Sequence, residues 1–193
     1  MATQKKNRII IGISGASGII YGIRLLECLK QCEIETHLIV SKAAQQTRAY
    51  ECDLSAAALN ELADKYYNIN DIAAALSSGS FQNLGMIIAP CSMRTLANIT
   101  CGNTDNLLTR AADVVLKERR RLILMVRESP LHLGHLKNMV AVTEMGAIIV
   151  PPVPAFYTKP NTIDDLVNHT VGRVLDLFEI DLGLVHRWGE SKT

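Results

Sequence analysis

Arg8-Ile9-Ile10-Ile11-Gly12-Ile13-Ser14-Gly15-Ala16-Ser17-Gly18 sets the fold. A short apolar run enters a glycine turn, and an amphipathic helix follows. Such a strand-turn-helix gathers backbone N–H groups at a helix N-terminus, which attracts phosphate. The spacing is G-x-x-G-x-x-G, not the G-x-G-x-x-G of a dinucleotide site. The second apolar run, Thr36-His37-Leu38-Ile39-Val40, ends at Ser41-Lys42 with no acid to hold a ribose. NAD is disfavoured, and so is a Walker A loop, because no Gly-Lys-Ser/Thr is present. The small hydroxyls of Ser14, Ser17 and Ser41 point to a single phosphorylated group, such as a mononucleotide.

Outward from this turn, apolar runs alternate with helix-period segments. Strands are expected at 8–13, 35–40, 86–90, 122–126 and 147–150. Helices are expected at 18–31, 42–51, 55–65, 106–119, 132–144 and 162–179. Asp53 and Asp71 read as helix starts, and Gly146 as the residue closing a helix. Segment 66–85 reads as an irregular surface excursion, and the proline-rich 151–160 as a stiff loop. The alternation predicts an α/β fold: a Rossmann-like three-layer αβα sandwich around a mainly parallel sheet.

The 193 residues fit one domain, 1–193, with 1–7 flexible and 180–193 a C-terminal tail. Twenty Lys and Arg against 19 Asp and Glu give a net charge of +1, which argues against nucleic acid or an anionic membrane as partner. Hydrophobic residues make up 48%, yet no run approaches the roughly 20 residues of a membrane span. The apolar excess is therefore assigned to a buried subunit interface in a homo-oligomer. No secretory leader is expected, and five cysteines without paired spacing fit a reducing, cytoplasmic setting.

Ligands of open parallel sheets sit beyond the carboxyl ends of the strands. Those ends carry Gly15-Ala16-Ser17, Ser41, Pro90-Cys91-Ser92-Met93-Arg94-Thr95, Arg127-Glu128, and a loop with Tyr157 and Lys159; Glu51 closes the helix after Ser41. Ser92 and Thr95 open a helix, as caps or as phosphate ligands. Arg127-Glu128 is either an ion pair or an anion holder beside a proton carrier. Arg119, Arg120 and Arg121 suit a helix C-terminus, whereas Lys117 shares a helix face with Arg110 two turns earlier. His132 and His135 have a spacing that would suit a metal, but no ligand set completes it, and no metal is expected. His37, Cys28 and Cys32 read as core, and Cys91 stands on the rim without a nearby histidine to activate it.

Gly15-Ala16-Ser17-Gly18, Ser41-Lys42-Ala43-Ala44, Pro90-Cys91-Ser92-x-x-Thr95, Lys117-Glu118-Arg119-Arg120, Arg127-Glu128, Phe156-Tyr157 and Arg187-Trp188-Gly189-Glu190 stand in the order in which the flavin prenyltransferase (UbiX-like) family carries such segments. The chain resembles that family over nearly its whole length. The resemblance implies FMN as cofactor and a homo-oligomer, typically a dodecamer, with sites at subunit interfaces. It implies transfer of a dimethylallyl group from dimethylallyl phosphate to reduced FMN, first at N5 and then by ring closure on the adjacent carbon. The product, prenylated FMN, would pass to a UbiD-type decarboxylase. Gly15, Ala16, Ser17, Ser41, Ser92, Met93, Arg94, Thr95 and Arg127 are the implied FMN contacts, with Arg94 adding bulk and charge beside the phosphate. Tyr157 and Arg173 are the implied prenyl-phosphate contacts, assisted by Lys117 and Arg110 from a neighbouring chain, and Trp188 helps cover the site. Ser17, Glu51, Lys117 and Glu128 are the implied catalytic residues. Two rivals share parts of this pattern: a flavin-dependent cysteine decarboxylase and a non-enzymatic FMN carrier. The first would need a histidine after the second helix, which is missing near Glu51, and the second needs no further anion site.

Overall fold

A computed structural model describes residues 7–189. The expectations for 1–6 and for the last four residues of the tail lie outside the described residues. The chain divides into two compact units, one up to Pro151 and one from Pro152 onward.

The first unit is built on six parallel strands: β1 (Arg8–Ile13), β2 (Glu35–Val40), β3 (Lys65–Tyr67), β4 (Gly85–Cys91), β5 (Arg121–Val126) and β6 (Ile148–Ile149). Their order is β3-β2-β1-β4-β5-β6. The expected parallel sheet is thus present, and the strand order reverses at β1, between β2 and β4. The helices are α1 (Ile19–Leu29), α2 (Lys42–Glu51), α3 (Ala56–Glu61), α4 (Met93–Thr100), α5 (Leu107–Lys117) and α6 (Leu133–Glu144). The central strands are apolar without alternation because both faces are covered. Ile10, Met86, Ile88, Leu122 and Leu124 pack in one buried cluster with Leu108, Ala112 and Val115 of α5. On the other face α1 comes close enough that a Cβ on Gly22 would stand 2.5 Å from the Ala89 carbonyl oxygen and 2.8 Å from Ile13. The missing side chain is what allows that approach.

Four expectations change. The helix of 55–65 ends at Glu61, and Lys65–Tyr67 becomes an edge strand paired with His37–Ile39. Asp64 Oδ2 accepts from the Thr36 amide at 2.7 Å and the Thr36 hydroxyl at 2.8 Å, which pulls the chain out of helix and onto β2. Neither Asp53 nor Asp71 starts an α-helix: Ser55 caps α3, and only a 3₁₀ turn at Ala75–Ser77 follows Asp71. The stretch 66–85 is therefore less irregular than composition implied. Its fold depends on distant partners, since Arg120 donates to the carbonyls of Gly79 and Phe81 and Arg110 to that of Ser77. Gly146 closes α6 as expected, with its N–H on the Thr143 carbonyl and φ of +103°.

The second unit holds a 3₁₀ turn at Phe156–Thr158 within the proline-rich loop, and α7 (Ile163–Asp176). Thr162 and Asp165 form a reciprocal capping box at the start of α7.

Candidate active site

Glycine at position 18 leaves the N-terminus of α1 without a side-chain cap of its own. Glu51, the last residue of α2, supplies the missing acceptor. Its carboxylate takes the Gly18 amide at 2.9 Å and the Ile19 amide at 3.0 Å, and the Ser17 hydroxyl donates to it. Partial burial pushes the Glu51 carboxyl upward, but the Ser17 hydroxyl, the two amides and the positive charge of Arg127 outweigh it. The net effect holds the carboxyl below its ordinary value, so Glu51 is anionic at neutral pH. Ser17, Glu51 and Arg127, named separately from the sequence, thus meet electrostatically at one helix end.

Beside them lies a cavity of about 260 Å³. Gly15, Ser41, Ser92, Arg94 and Thr95, five of the residues expected to contact FMN, are among those that line it. Three helices start there. Ser41 Oγ accepts from the Ala44 amide, Ser92 Oγ from the Thr95 amide and Asn106 Oδ1 from the Thr109 amide. Helix N-termini carry partial positive charge, and Lys42 and Arg94 add full positive charges to the same lining against one carboxylate, Asp105. Ile69 and Leu108 give the cavity an apolar side. This mixture of anion donors and apolar wall suits a phosphorylated cofactor such as FMN. A larger open hollow of about 460 Å³ involves Glu33, Glu35 and Asp64, at the opposite ends of the strands from these loops. Three carboxylates line it against one cation, Lys65, which is paired with Glu35 at 3.3 Å, so it suits an anion poorly.

In the second unit Tyr157 lies edge-on to Trp188, with ring centroids 5.3 Å apart, and its hydroxyl is 3.4 Å from His169 Nε2. Arg173 is half exposed and paired with Asp176 at 2.7 Å. Asp176 also receives two hydrogen bonds from Arg187, at 3.1 and 3.0 Å.

A flavoprotein family model matches residues 1–175. The flavin prenyltransferase UbiX of Escherichia coli K12 is 59% identical over 184 residues, covering 94% of this chain and 97% of that protein. The solved structure of AnUbiX (PadA1) in complex with FMN and dimethylallyl pyrophosphate is 51% identical, covers 97% of this chain and 100% of that one, and superposes with a TM-score of 0.95. A dodecameric FMN-dependent UbiX-like decarboxylase from Escherichia coli O157:H7 is 49% identical over 95% of this chain and 100% of its own, with a TM-score of 0.93.

This chain belongs to the UbiX-like flavin prenyltransferase family.

Within this UbiX-like chain some sequence-named residues lie apart from the cavity. Lys117 pairs with Glu118, and Arg110 with Asp113 at 2.8 Å, and neither lines the cavity. Glu128 is exposed and accepts from the amide of Ser129. Met93 packs against the buried cluster, and Ala16 is half-buried in the β1–α1 turn. Ser14 is not free for a ligand: it is buried, donates to the Pro90 carbonyl at 2.9 Å and accepts from the Ser92 amide at 2.7 Å. Cys91 is buried, and desolvation raises its thiol to about 12, far from a nucleophile's range. His132 accepts from the Gly134 amide and stacks on His135 at 3.6 Å, so it serves as a helix cap. Lys42, Asn70, Asn98, Asp105, Asn106 and Thr109 line the cavity and were missed. Asn106 carried a signal, since a polar residue before Leu107-Leu108 marks a helix start.

Proposed function

We propose that this chain is a flavin prenyltransferase that moves a dimethylallyl group from dimethylallyl phosphate to reduced FMN. The observation that carries this reading is the Ser17–Glu51–Arg127 group beside a phosphate-attracting cavity, in a chain 59% identical to a flavin prenyltransferase. Reduced FMN would supply an electron-rich N5 and neighbouring carbon; the donor supplies the allylic carbon, whose bond to oxygen breaks so that its phosphate departs as inorganic phosphate.

Gly15, Ser41, Ser92 and Thr95 bind the FMN phosphate through their loops and hydroxyls, with Arg94 opposing its charge. Arg127 orients the FMN and adds to the Ser17 hydroxyl and the Gly18 and Ile19 amides in keeping Glu51 ionised. Glu51 holds the Ser17 hydroxyl and stands ready to take a proton as the ring system rearomatises. Glu128, exposed on the next loop, is the second proton carrier. Tyr157 and Arg173 grip the phosphate of the donor, and the hydroxyl of the one and the positive charge of the other favour its departure. Lys117 and Arg110 act on a neighbouring subunit's site within a homo-oligomer of the dodecameric kind. Trp188, packed on Tyr157, excludes water, which would otherwise capture the allylic cation. Prenylated FMN then passes to a UbiD-type decarboxylase. The bacterial relatives and the free thiols support a cytoplasmic setting, and no helix among the described residues is long and apolar enough to cross a membrane.

Anaerobic incubation with reduced FMN and dimethylallyl phosphate tests the reading. The extracted flavin gains the mass of one C5H8 unit; recovery of unmodified FMN refutes the activity. Cysteine decarboxylation is the weaker alternative, because Cys52-Asp53-Leu54 follow Glu51 where that chemistry wants a histidine.

A further inference from the structure

Tyr157 has one phenolic proton and two polar neighbours. Its oxygen is 3.4 Å from the His186 carbonyl and 3.4 Å from His169 Nε2. A carbonyl only accepts, so the phenol donates there and His169 must donate to the phenol. The proton of His169 then sits on Nε2, and Nδ1 is left as a bare lone pair. Nδ1 is indeed buried with no partner among the described residues, which would be costlier if it carried the proton. His169 stands on α7, is only 8% exposed and meets the Tyr157 ring edge-on at 86°. Burial, followed by Arg173 and His186, keeps the imidazole neutral against the opposing pull of Asp176. A buried polar ring with one idle nitrogen is poor core material. Among the described residues its side chain hydrogen-bonds to Tyr157, the residue assigned to the donor's phosphate.

We propose that His169 is a positioning residue that holds the Tyr157 oxygen through Nε2–H, so that the phenolic proton turns from the His186 carbonyl to the phosphoryl group of the allylic substrate. The inference rests on the phosphate role given to Tyr157. Accepting a hydrogen bond from His169 polarises the phenol and makes it a better donor. The 3.4 Å His169 contact tightens, and the His186 contact is given up, when an anion takes the phenolic proton.

The test compares His169→Leu, His169→Gln, Tyr157→Phe and the Tyr157→Phe/His169→Leu double variant. The contact persists in substrate and in released phosphate, so it acts mainly on binding. His169→Leu is expected to raise the KM for dimethylallyl phosphate about tenfold, the loss of roughly one hydrogen bond, with kcat changed less than about twofold. His169→Gln, which restores an N–H donor, recovers most of the loss. The double variant is no worse than Tyr157→Phe, because both substitutions break the same contact. Calorimetry with inorganic phosphate reads the contact without turnover and shows the same weakening. An unchanged KM and phosphate affinity in His169→Leu, failure of His169→Gln to recover, or additivity with Tyr157→Phe overturns the proposal. Wild-type protein that binds phosphate but does not alkylate FMN sinks the functional reading alone, and the calorimetric comparison then decides His169. Wild-type protein that binds no phosphate overturns the proposal as well.

Discussion

Glu51 does two jobs with one carboxylate, and they can be separated. It caps α1 through the Gly18 and Ile19 amides, and it holds the Ser17 hydroxyl beside Arg127. Glu51→Gln keeps one acceptor oxygen but loses the charge that suits a helix N-terminus. The expected destabilisation is about 1 kcal/mol, measured as a lower urea midpoint. Because the folded carboxyl is held below its ordinary value, its stabilisation is complete above the unfolded glutamate value of 4.5. It is lost as pH falls below that and through the folded pKa. Wild-type and Glu51→Gln midpoints should therefore converge toward acid pH; a constant gap would show that the charge contributes nothing. Alkylation should fall in the same variant while FMN binding persists. The sequence placed Glu51 on the rim but could not reveal the cap, because its amide partners lie 33 and 32 residues earlier. Cys91 shows the converse: its rim position was legible, its burial was not. With its thiol raised to about 12, Cys91 should resist iodoacetamide at pH 8 in the native protein, read by peptide mass, and react only on unfolding.

Periodicity made β1, β2, β4 and β5 and the helices α1, α5 and α7 readable, because each buries a continuous apolar surface. It failed at β3, where Lys65-Tyr66-Tyr67 carries no strand pattern of its own and depends on Asp64 binding Thr36. Asp64→Ala removes both acceptor contacts and should cost about 1–3 kcal/mol, with faster amide exchange confined to Lys65–Tyr67 and the strand end it pairs with. Helix α1 sets two principles in opposition. Alanine is the better helix former, worth about 1 kcal/mol over glycine. At position 22, however, its Cβ would meet the Ala89 carbonyl oxygen at 2.5 Å, and backbone cannot rotate away. Overpacking of that kind costs about 1–3 kcal/mol, so Gly22→Ala should destabilise despite its propensity. A raised melting temperature would show that α1 can lift off β4 freely.

The assembly was legible as an amount and not as a place. A 48% hydrophobic composition with no membrane-length run implied buried subunit surface, but composition has no address. The fold supplies a candidate in α6. Of its twelve residues only Val142 is fully buried, although the helix carries several large apolar side chains. Leu133, Leu136 and Val140 are 65%, 46% and 58% exposed and fall at i, i+3 and i+7, on one face. A helix apolar on more than its core face needs a second surface to cover it, and a further copy of the chain is the economical cover in a family with a dodecameric member. An aspartate there would have to be desolvated at the contact but would stay hydrated on an isolated chain. Val140→Asp should therefore shift the mass found by light scattering to smaller species while the far-ultraviolet circular dichroism is kept. If Lys117 and Arg110 serve a neighbouring subunit's site, alkylation should fall with the assembly and FMN binding should outlast it. An intact assembly carrying Val140→Asp would remove α6 from the interface and leave the apolar excess to be placed elsewhere.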